Sequence, residues 1–332
     1  MFLSSNRSEK PKEKAEDGDE DLLNSSLLLG NVLWLNVLLC LLGHVAGLYG
    51  FYLGVTGVAK WPTLIWTVFL MGFSGFGITG GAHRLWAHRS YKAKLPFRLL
   101  VAVGQTMALQ NDIYRWCWMH RMHHKYSETD ADPFNARRGF FFSHVGWMLC
   151  KVHPAVTRRA KSIVMSDVLQ DPIVVYQKKF YLPLALLLGC VIPTVLPVSL
   201  WNECLSTSLF VAFACRFAIT SNITFMTNSV SHTSFDALCW GSKPYDKTIG
   251  SVENSVVAAL TIGEGWHNYH HVFPWDYKAA ELGNNSINLT TNLIDCFASI
   301  GWVSDRKSVA ENMIRNRAQR TGDGSHVHQL AS

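Results

Sequence analysis

The hydrophobic positions of the chain cluster into four long apolar stretches separated by polar segments. The stretches cover about residues 27–54, 62–82, 180–200 and 205–230. Each reaches the length of about 20 apolar residues that an α-helix needs to cross a hydrocarbon core roughly 30 Å thick. Only short connectors separate the first stretch from the second and the third from the fourth. The pattern therefore predicts four membrane-spanning helices arranged as two hairpins.

Composition and charge agree with a membrane protein and indicate its orientation. Apolar residues make up 48% of the chain and charged residues 16%, which argues against a typical soluble protein. Lysine and arginine accumulate in residues 83–179, between the hairpins, and such residues collect on the cytoplasmic side. The net charge of +6 then reflects orientation, and no nucleic-acid partner is expected. Residues 1–26 and 321–332 are predicted as tails, with both termini cytosolic.

Nine of the fourteen histidines gather in four places, in HRLWAH, HRMHH, NSVSH and HNYHH. The residues are His83, His88, His120, His123, His124, His232, His267, His270 and His271. Two of the motifs precede the second hairpin and two follow it, so an even number of crossings returns all nine to one side. The other five histidines, among them His44 and His144, lie outside any repeated spacing, and no ligand role is expected for them.

The H-x-x-H-H spacing that begins at His120 and again at His267 suits metal binding. In an α-helix, positions i, i+3 and i+4 lie on one face, so each motif is predicted to direct three imidazoles at one spot. Imidazole binds Zn, Cu, Fe and Ni, and the motifs contain no thiolate that would indicate a structural zinc site. Nine ligands are too many for one ion. Two ions with four or five histidines each, and a water near Asn228, would use them all.

The sequence leaves two details of this centre open. His83 and His88 are five residues apart and cannot both face one metal from a regular α-helix, so the helix is expected to unwind or end there. Four carboxylates lie beside the histidines, at Glu128, Asp130, Asp132 and Glu264. They either accept the second ring N–H of the ligands or, for the three in SETDADP, form a turn.

Two further apolar segments, 97–109 and 255–263, are too short to cross a membrane. We expect them to be interfacial helices or helices of a cytosolic cap over the metal site. The predicted fold is an all-α integral membrane protein with four transmembrane helices in two hairpins. Its cytosolic helical cap comprises residues 83–179 and 231–320.

Several motifs in order give the chain a resemblance to a known family. They are GAHRLWAHRSYKAK, HHKYSETDADP, RRGFFFSHVGW, KPYDK, GEGWHNYHH and RTGDGSH. Together with the histidine spacings, they resemble the membrane acyl-CoA desaturases of the stearoyl-CoA type, and most of all the insect branch. The resemblance runs over roughly residues 27–326, and residues 27–320 are expected to form the desaturase domain.

The resemblance implies a protein of the endoplasmic reticulum whose cap holds a di-iron centre. The nine histidines match the iron ligands, and Asn228 matches a residue that reaches one iron through water. The reaction implied is the O2-dependent introduction of a double bond into a fatty acyl-CoA. Electrons are expected from separate proteins, cytochrome b5 and its NADH-dependent reductase, with membrane lipid as the surroundings. This agrees with chemistry, because breaking an unactivated C–H bond is beyond any side-chain acid or base.

Substrate contacts are assigned in two sets. Trp116 and Thr220 match positions that line the bend of the acyl tunnel, and Asn111 is placed with them; an interfacial tryptophan and an ordinary helix threonine are the alternatives. Lys151, Arg137 and Arg138 are candidates for the phosphates of coenzyme A. The glycines and serine at 72, 74, 75 and 77 either leave room for the methyl end of the chain or pack the helices together.

Departures from the family pattern keep alternatives open. Trp118 and Met119 replace a usual Arg-Asp pair at the substrate entrance, Phe134 replaces a usual histidine, and the link at 233–242 is longer than usual. An inactive family member, a related hydroxylase or conjugase, and a metal transporter are the alternatives. A transporter is the least consistent, because its sites lie near the middle of the bilayer. The sequence does not fix the oligomeric state, and a homo-oligomer remains among the alternatives.

Overall fold

The computed structural model of the chain describes residues 31–232, 241–281 and 288–326, and these residues are mostly helical. The helices are α1 (Trp34–Val55), α2 (Trp61–Ala87), α3 (Leu95–Met107), α4 (Ile113–Tyr126), α5 (Pro154–Arg159), α6 (Ser166–Leu169), α7 (Pro172–Lys179), α8 (Tyr181–Trp201), α9 (Leu205–Asn228), α10 (Ser255–Leu260), α11 (His267–Val272), α12 (Leu289–Ser299) and α13 (Glu311–Thr321). Shorter turns occupy Ala136–Arg138, Phe142–Gly146, Trp147–Leu149 and Ala160–Ser162. Two short strands, β1 (Lys92–Ala93) and β2 (Val303–Ser304), pair antiparallel.

Helices α1, α2, α8 and α9 are long and apolar enough to cross a membrane, with 22, 27, 21 and 24 residues. They expose large apolar side chains such as Leu35, Leu48 and Leu182, as lipid-facing surfaces do. The prediction of a mostly helical protein with four membrane-spanning helices is therefore confirmed. Some bounds differ from the apolar stretches. Helix α1 begins at Trp34, residues 27–30 lie outside the described residues, and α2 continues to Ala87.

The two hairpins are bound to each other at their connectors. Glu203 Oε2 accepts hydrogen bonds from the Lys60 backbone N–H at 2.9 Å and from the Thr63 hydroxyl at 2.6 Å. Lys60 Nζ in turn donates to the Trp201 and Asn202 carbonyls at 2.9 and 2.6 Å. Both short connectors therefore lie at one end of the helix bundle, and the long segments lie at the other.

Those long segments form one cap at the C-terminal end of α2. A buried core there combines Trp86 of α2, Phe97 of α3, Ile113 of α4 and Ile294 of α12. Residues that precede the second hairpin thus pack against residues that follow it, as an even number of crossings requires. A second core, with Tyr245, Tyr269 and Ile314 among its members, holds α13 against α11.

Parts of the predicted domain plan lie outside the described residues. These parts are the N-terminal tail 1–26, residues 233–240 of the longer link, and residues 327–332. Residues 321–326 of the predicted C-terminal tail bond to Tyr245 and Lys243 in the structure. The cap limits of 83–179 and 231–320 stay predictions.

Candidate metal centre

The nine histidines meet in the cap as two groups. The five-histidine group consists of His83, His88, His120, His124 and His270. The four-histidine group consists of His123, His232, His267 and His271. Within each group the ligand nitrogens lie within 4.8 Å of one another, which is a spacing that one metal ion can fill.

His83 and His88 reach the same group because α2 changes its winding. From Gly77 to Ala87 the helix is a π-helix, and the His88 N–H donates to the His83 carbonyl at 3.0 Å, five residues back. Residues five apart are brought close together by this winding, which is frequent at functional sites. The two rings lie 4.9 Å apart between centroids. The expected departure from a regular helix thus takes the form of a wider helix that ends at Ala87.

The two H-x-x-H-H motifs do not each serve one spot, as the spacing predicts. In α4, His120 and His124 face the five-histidine group, whereas His123 faces the other group. In α11 the division is reversed, because His267 and His271 face the four-histidine group and His270 the five-histidine group. In both helices the i and i+4 positions stay together and i+3 turns away, since i+3 and i+4 lie about 100° apart around the axis.

The nitrogens that face one another have no satisfactory arrangement of hydrogen bonds among themselves. His270 Nε2 lies 2.9 Å from His83 Nε2 and 2.9 Å from His124 Nε2. His232 Nε2 likewise lies 3.1 Å from His123 Nε2 and 3.0 Å from His267 Nε2. A neutral imidazole nitrogen carries either one proton or one lone pair, so it cannot satisfy two such neighbours. A shared cation fits these positions, and the two groups are able to hold metal ions.

Outer carboxylates fix which nitrogen faces inward. His83 Nδ1 lies 2.8 Å from Glu264 Oε2, and His123 Nδ1 lies 3.0 Å from Asp132 Oδ1. A proton on Nδ1 that bonds to a carboxylate leaves the Nε2 lone pair free for a metal. Glu128 Oε1 is 3.7 Å from His232 Nδ1, which is too long for a hydrogen bond. Asp130 instead borders a small surface cavity.

The turn interpretation of SETDADP is also supported. Asp132 Oδ1 accepts the Phe134 backbone N–H at 2.9 Å, and Asp132 Oδ2 accepts that of Glu128 at 3.0 Å. Asp132 therefore shapes the loop and orients His123 at the same time, so the two interpretations are compatible.

The environment of the cap lowers the pKa of seven of the nine imidazoles and so favours their neutral form. Burial, together with neighbouring histidines, lowers the pKa well below its usual value for six of them: His88, His120, His124, His267, His270 and His271. Burial likewise lowers the pKa of His232 to about 3. Burial alone would raise the pKa of Glu264, but the charge of Arg84 and the contact with His83 bring it down to about 2. Neutral rings beside an ionised carboxylate are what metal binding requires.

Arg84 is a central residue of the site that the sequence interpretation missed. Its side chain is 1% exposed, and its Nη2 donates to Glu264 Oε1 at 2.8 Å. It also donates to the Tyr277 carbonyl and to the Thr291 hydroxyl, at 3.0 and 2.9 Å. Arg84 thus ties the end of α2 to two later segments of the cap. A charged residue next to a candidate ligand, at the end of an apolar span, was the available signal.

An elongated cavity of about 570 Å³ begins at the histidines and extends between α1, α2 and α9. Its volume falls in the range of small-molecule pockets. Asn111, Trp116, Thr220 and Asn228 line it. Lys151, Arg137 and Arg138 are not among the residues that line it.

Some small residues of α2 line the cavity, and another allows α2 to pack closely against α3. Gly72, Ser74 and Gly75 line the cavity, and a Cβ added to Gly72 would meet nothing within 4 Å. A Cβ on Gly77 would lie 2.1 Å from Gln105 N, so this glycine allows α2 and α3 to pack closely. Both alternatives for these residues are therefore found in one helix.

Two of the residues that depart from the family pattern, Met119 and Phe134, also lie at the site. Met119 is 8% exposed and lines the cavity with Phe134, whose ring centroid is 5.7 Å from that of His123. Trp118 points elsewhere, because its Nε1 donates to the Ala160 carbonyl at 3.4 Å. The departures thus make the cavity more apolar next to the four-histidine group.

Comparison with known proteins agrees with this geometry. The model of the fatty acid desaturase family matches residues 59–280. The chain is 56% identical over 295 residues to the acyl-CoA Delta-9 desaturase of Acheta domesticus, which covers 89% of this chain and 80% of that protein. It is 48% identical over 293 residues to the stearoyl-CoA desaturase of Sus scrofa, covering 88% and 79% of the two chains. It is also 48% identical over 283 residues to the (11Z)-hexadec-11-enoyl-CoA conjugase of Bombyx mori, covering 85% and 83%. The chain belongs to the fatty acid desaturase family.

Proposed function

We propose that the protein is an acyl-CoA desaturase that uses O2 to introduce a double bond into a fatty acyl-CoA chain. The observation that carries the proposal is the position of the two histidine groups, at the head of an apolar cavity that extends between membrane helices. A saturated acyl chain is apolar along its length and fits such a cavity. The relatives named as acyl-CoA and stearoyl-CoA desaturases support the same substrate class.

The nine histidines would hold two iron ions, one in each group. Iron there would supply the redox chemistry that removes hydrogen from an unactivated carbon, with O2 reduced to water by two electrons from the donor and two from the substrate. The side chains contribute position: Glu264 and Asp132 keep His83 and His123 in the tautomer that faces inward. Asn228 lines the cavity and is proposed to hold a water against the four-histidine group.

Selection of one C–C bond would come from the walls of the cavity. Trp116 lines it and stacks on His120 with ring centroids 5.1 Å apart, so it would form part of the wall beside the five-histidine group. The Thr220 hydroxyl donates its proton to the Arg216 carbonyl at 2.8 Å, so towards the cavity it can act only as an acceptor. Asn111 lines the same cavity. Holding a saturated chain in a fixed path places one bond at the irons before reaction, which is the entropic advantage of binding.

Basic residues of the cap are the candidates for binding the coenzyme A head group. Lys151 and Arg137 are exposed and are proposed to bind the phosphates of coenzyme A. Arg138 is assigned the same role, although its guanidinium lies 3.7 Å from the centroid of the Phe142 ring. Cytochrome b5 and its reductase are proposed as electron donors, with the protein in the endoplasmic reticulum membrane and both termini cytosolic.

Expression of the full chain in a host that lacks its own desaturase tests the function. We expect new monounsaturated fatty acids by gas chromatography with mass spectrometry, and two irons per purified chain. Hydroxylated or conjugated products would show instead that the protein is a hydroxylase or a conjugase. Of these two alternatives, the similarity to a conjugase favours the conjugase. Absence of both iron and product would refute it.

A variant of the cavity sharpens this test. Gly72→Leu adds bulk to open space in the cavity, so it is expected to shift the substrate preference to shorter acyl chains. Val45→Leu adds apolar bulk on an exposed face of α1 and is the control. An unchanged chain-length profile for Gly72→Leu would contradict the placement of the acyl chain.

A further inference from the structure

Helix α11 carries three of the nine histidines but spans only six residues, His267–Val272. A helix of this length has little stability of its own, so its orientation depends on the segments that contact it. Any rotation of α11 would displace His270 from one group and His267 and His271 from the other. The orientation of α11 therefore depends on the contacts of Asn268 and Tyr269, its two buried residues that are not histidines.

Asn268 binds α11 to the loop that contains the KPYDK motif. The residue is 0% exposed, and its Oδ1 accepts the backbone N–H groups of Tyr245 and Asp246 at 3.0 and 3.1 Å. Its Nδ2 donates to the carbonyls of Asp246 and Ser251 at 2.9 and 3.0 Å. The amide thus uses both donors and both lone pairs on one loop. The position of that loop consequently sets the position of Asn268, between two candidate ligands.

Tyr269 adds contacts on the adjacent side. Its backbone N–H donates to the buried carboxyl of Glu253 at 2.7 Å, and its hydroxyl donates to Asp276 Oδ2 at 2.8 Å. The first bond satisfies one of the N–H groups that a helix leaves free at its start. These bonds fix the beginning of α11. The KPYDK loop that binds Asn268 is held in turn by residues of another segment.

Residues 321–326, which we name the C-terminal clasp, hold that loop from its other side. The Thr321 hydroxyl donates to the Tyr245 carbonyl at 2.6 Å, and the Lys247 N–H donates to the Thr321 carbonyl at 2.9 Å. Asp323 Oδ2 accepts the Lys243 N–H at 2.5 Å, and the Asp323 N–H donates to the Lys243 carbonyl at 3.1 Å. The clasp therefore bonds to both ends of the KPYDK motif.

Two further features show that the clasp is closely fitted. A Cβ on Gly322 would lie 2.1 Å from the Pro244 carbonyl oxygen, so only glycine allows this approach. His326 is 7% exposed, and its Nε2 lies 3.0 Å from Glu281 Oε2, which also accepts the Tyr245 hydroxyl at 2.5 Å. Thr321, Asp323 and His326 of the RTGDGSH motif thus all bond to the cap.

We infer that the C-terminal clasp positions the three histidines of α11 for both groups, by holding the KPYDK loop against Asn268. Thr321, Asp323 and Asn268 are positioning residues in this scheme, because their side chains bond to the KPYDK loop and act on the histidines through α11. The inference rests on the proposed metal centre and adds a requirement to it. A loosened clasp leaves the protein in the membrane but weakens its hold on metal.

The test compares matched variants of the full chain. Thr321→Val keeps the shape of the side chain but removes the hydroxyl that bonds to Tyr245, whereas Thr321→Ser keeps the hydroxyl. Loss of a residue that orients metal ligands costs about 10- to 100-fold in metal affinity. We expect a loss of about 10-fold for Thr321→Val and a near-normal affinity for Thr321→Ser. Arg315→Ala, at an exposed ion pair with Glu311 on the same helix, is the control.

The readout is equilibrium titration of the purified apoprotein with Fe²⁺ under anaerobic conditions, beside its elution profile in detergent and its thermal unfolding. A purely structural role would lower the unfolding temperature and leave the iron affinity of the folded protein unchanged. A chain that ends at Arg320 should lose more affinity than Thr321→Val, and a chain that ends at His326 should match the full chain.

The outcomes separate the inference from the function on which it rests. If the unaltered chain binds no iron, the metal centre itself is wrong. If it binds two irons and Thr321→Val binds them equally well, the clasp has no positioning role. Should the chain that ends at Arg320 fail to fold, the comparison of Thr321→Val with Thr321→Ser still decides.

Discussion

The two histidine groups draw on the same helices, yet they are held differently. The five-histidine group includes His83 of the π-helical segment of α2 and His88 directly after it, and Glu264 and Arg84 lie behind His83. Arg84 and Glu264 are 1% and 8% exposed, so this ion pair is enclosed by the protein. The four-histidine group is supported by Asp132 in a turn, and Glu128 stands 3.7 Å from His232 Nδ1.

The ring nitrogens that point away from each centre show the same difference. In the four-histidine group, the buried Nδ1 atoms of His232 and His267 have no hydrogen-bond partner in the described part of the chain. In the five-histidine group this is true of His270 alone among its members. With one imidazole fewer and one more unpartnered buried Nδ1 among the described residues, the four-histidine group is the less constrained of the two. A metal there would have room for an exchangeable water, and Asn228 lines the cavity nearby.

The largest effect is expected from removing one histidine of each group in turn. His123→Ala leaves three imidazoles, which should release the iron of the four-histidine group and reduce desaturation by more than about 100-fold, the upper cost of losing only an outer contact. His88→Ala leaves four imidazoles and should retain more iron. Iron per chain and product yield measure both.

A histidine outside the groups provides the control for this pair. His153→Asn keeps an acceptor for the Ala155 N–H and should leave iron and product unchanged. Equal iron loss from His123→Ala and His88→Ala would show that the number of ligands does not distinguish the two groups.

The second effect concerns the ion pair behind the five-histidine group. Glu264→Gln leaves Arg84 buried without a counter-charge, which costs about 3–5 kcal/mol of stability. It also removes the carboxylate that accepts from His83, so metal affinity should fall by about 10- to 100-fold. Thermal unfolding and metal titration measure these losses. Glu311→Gln, at an exposed surface pair, is the control, and a variant as stable as the unaltered chain would contradict the role given to Arg84.

The smallest effect is expected from the corresponding change in the other group. Asp132→Asn keeps an oxygen that can accept backbone N–H groups of the turn, and in the described residues it leaves no arginine without its partner. Metal affinity should fall by about 10-fold. The amide nitrogen would face one of the two backbone N–H groups, so the unfolding temperature should fall too, but by less than for Glu264→Gln. A loss greater than that of Glu264→Gln would reverse the comparison, making the four-histidine group the more rigidly supported of the two.

Much of this arrangement follows from local patterns. The four apolar stretches predict the spans because helix length must match bilayer thickness, and the structure places helices there within a few residues, apart from the start of α1 and the end of α2. The nine histidines and the family resemblance also come from sequence, and family membership is confirmed. The assignment of those histidines as iron ligands stays a prediction, which the geometry supports.

Other features are not visible in spacing alone. The H-x-x-H-H motif predicts three imidazoles on one face, but it gives no indication that two centres lie beside that face and divide the motif between them. Likewise, the spacing of His83 and His88 excludes a regular helix without specifying the π-helix that joins them. In each case the missing information is the position of another segment.

The sequence by itself determined the number of spans, that the histidines gather on one side, and the kind of ligand they offer, because these depend on helix length, parity of crossing and side-chain chemistry. Only the tertiary structure decided which histidine joins which group, and which residues support it. His83 and His270 lie 187 positions apart, and Thr321 lies 76 positions from Tyr245. Contacts over such separations arise from packing of the whole cap, and no local period encodes them.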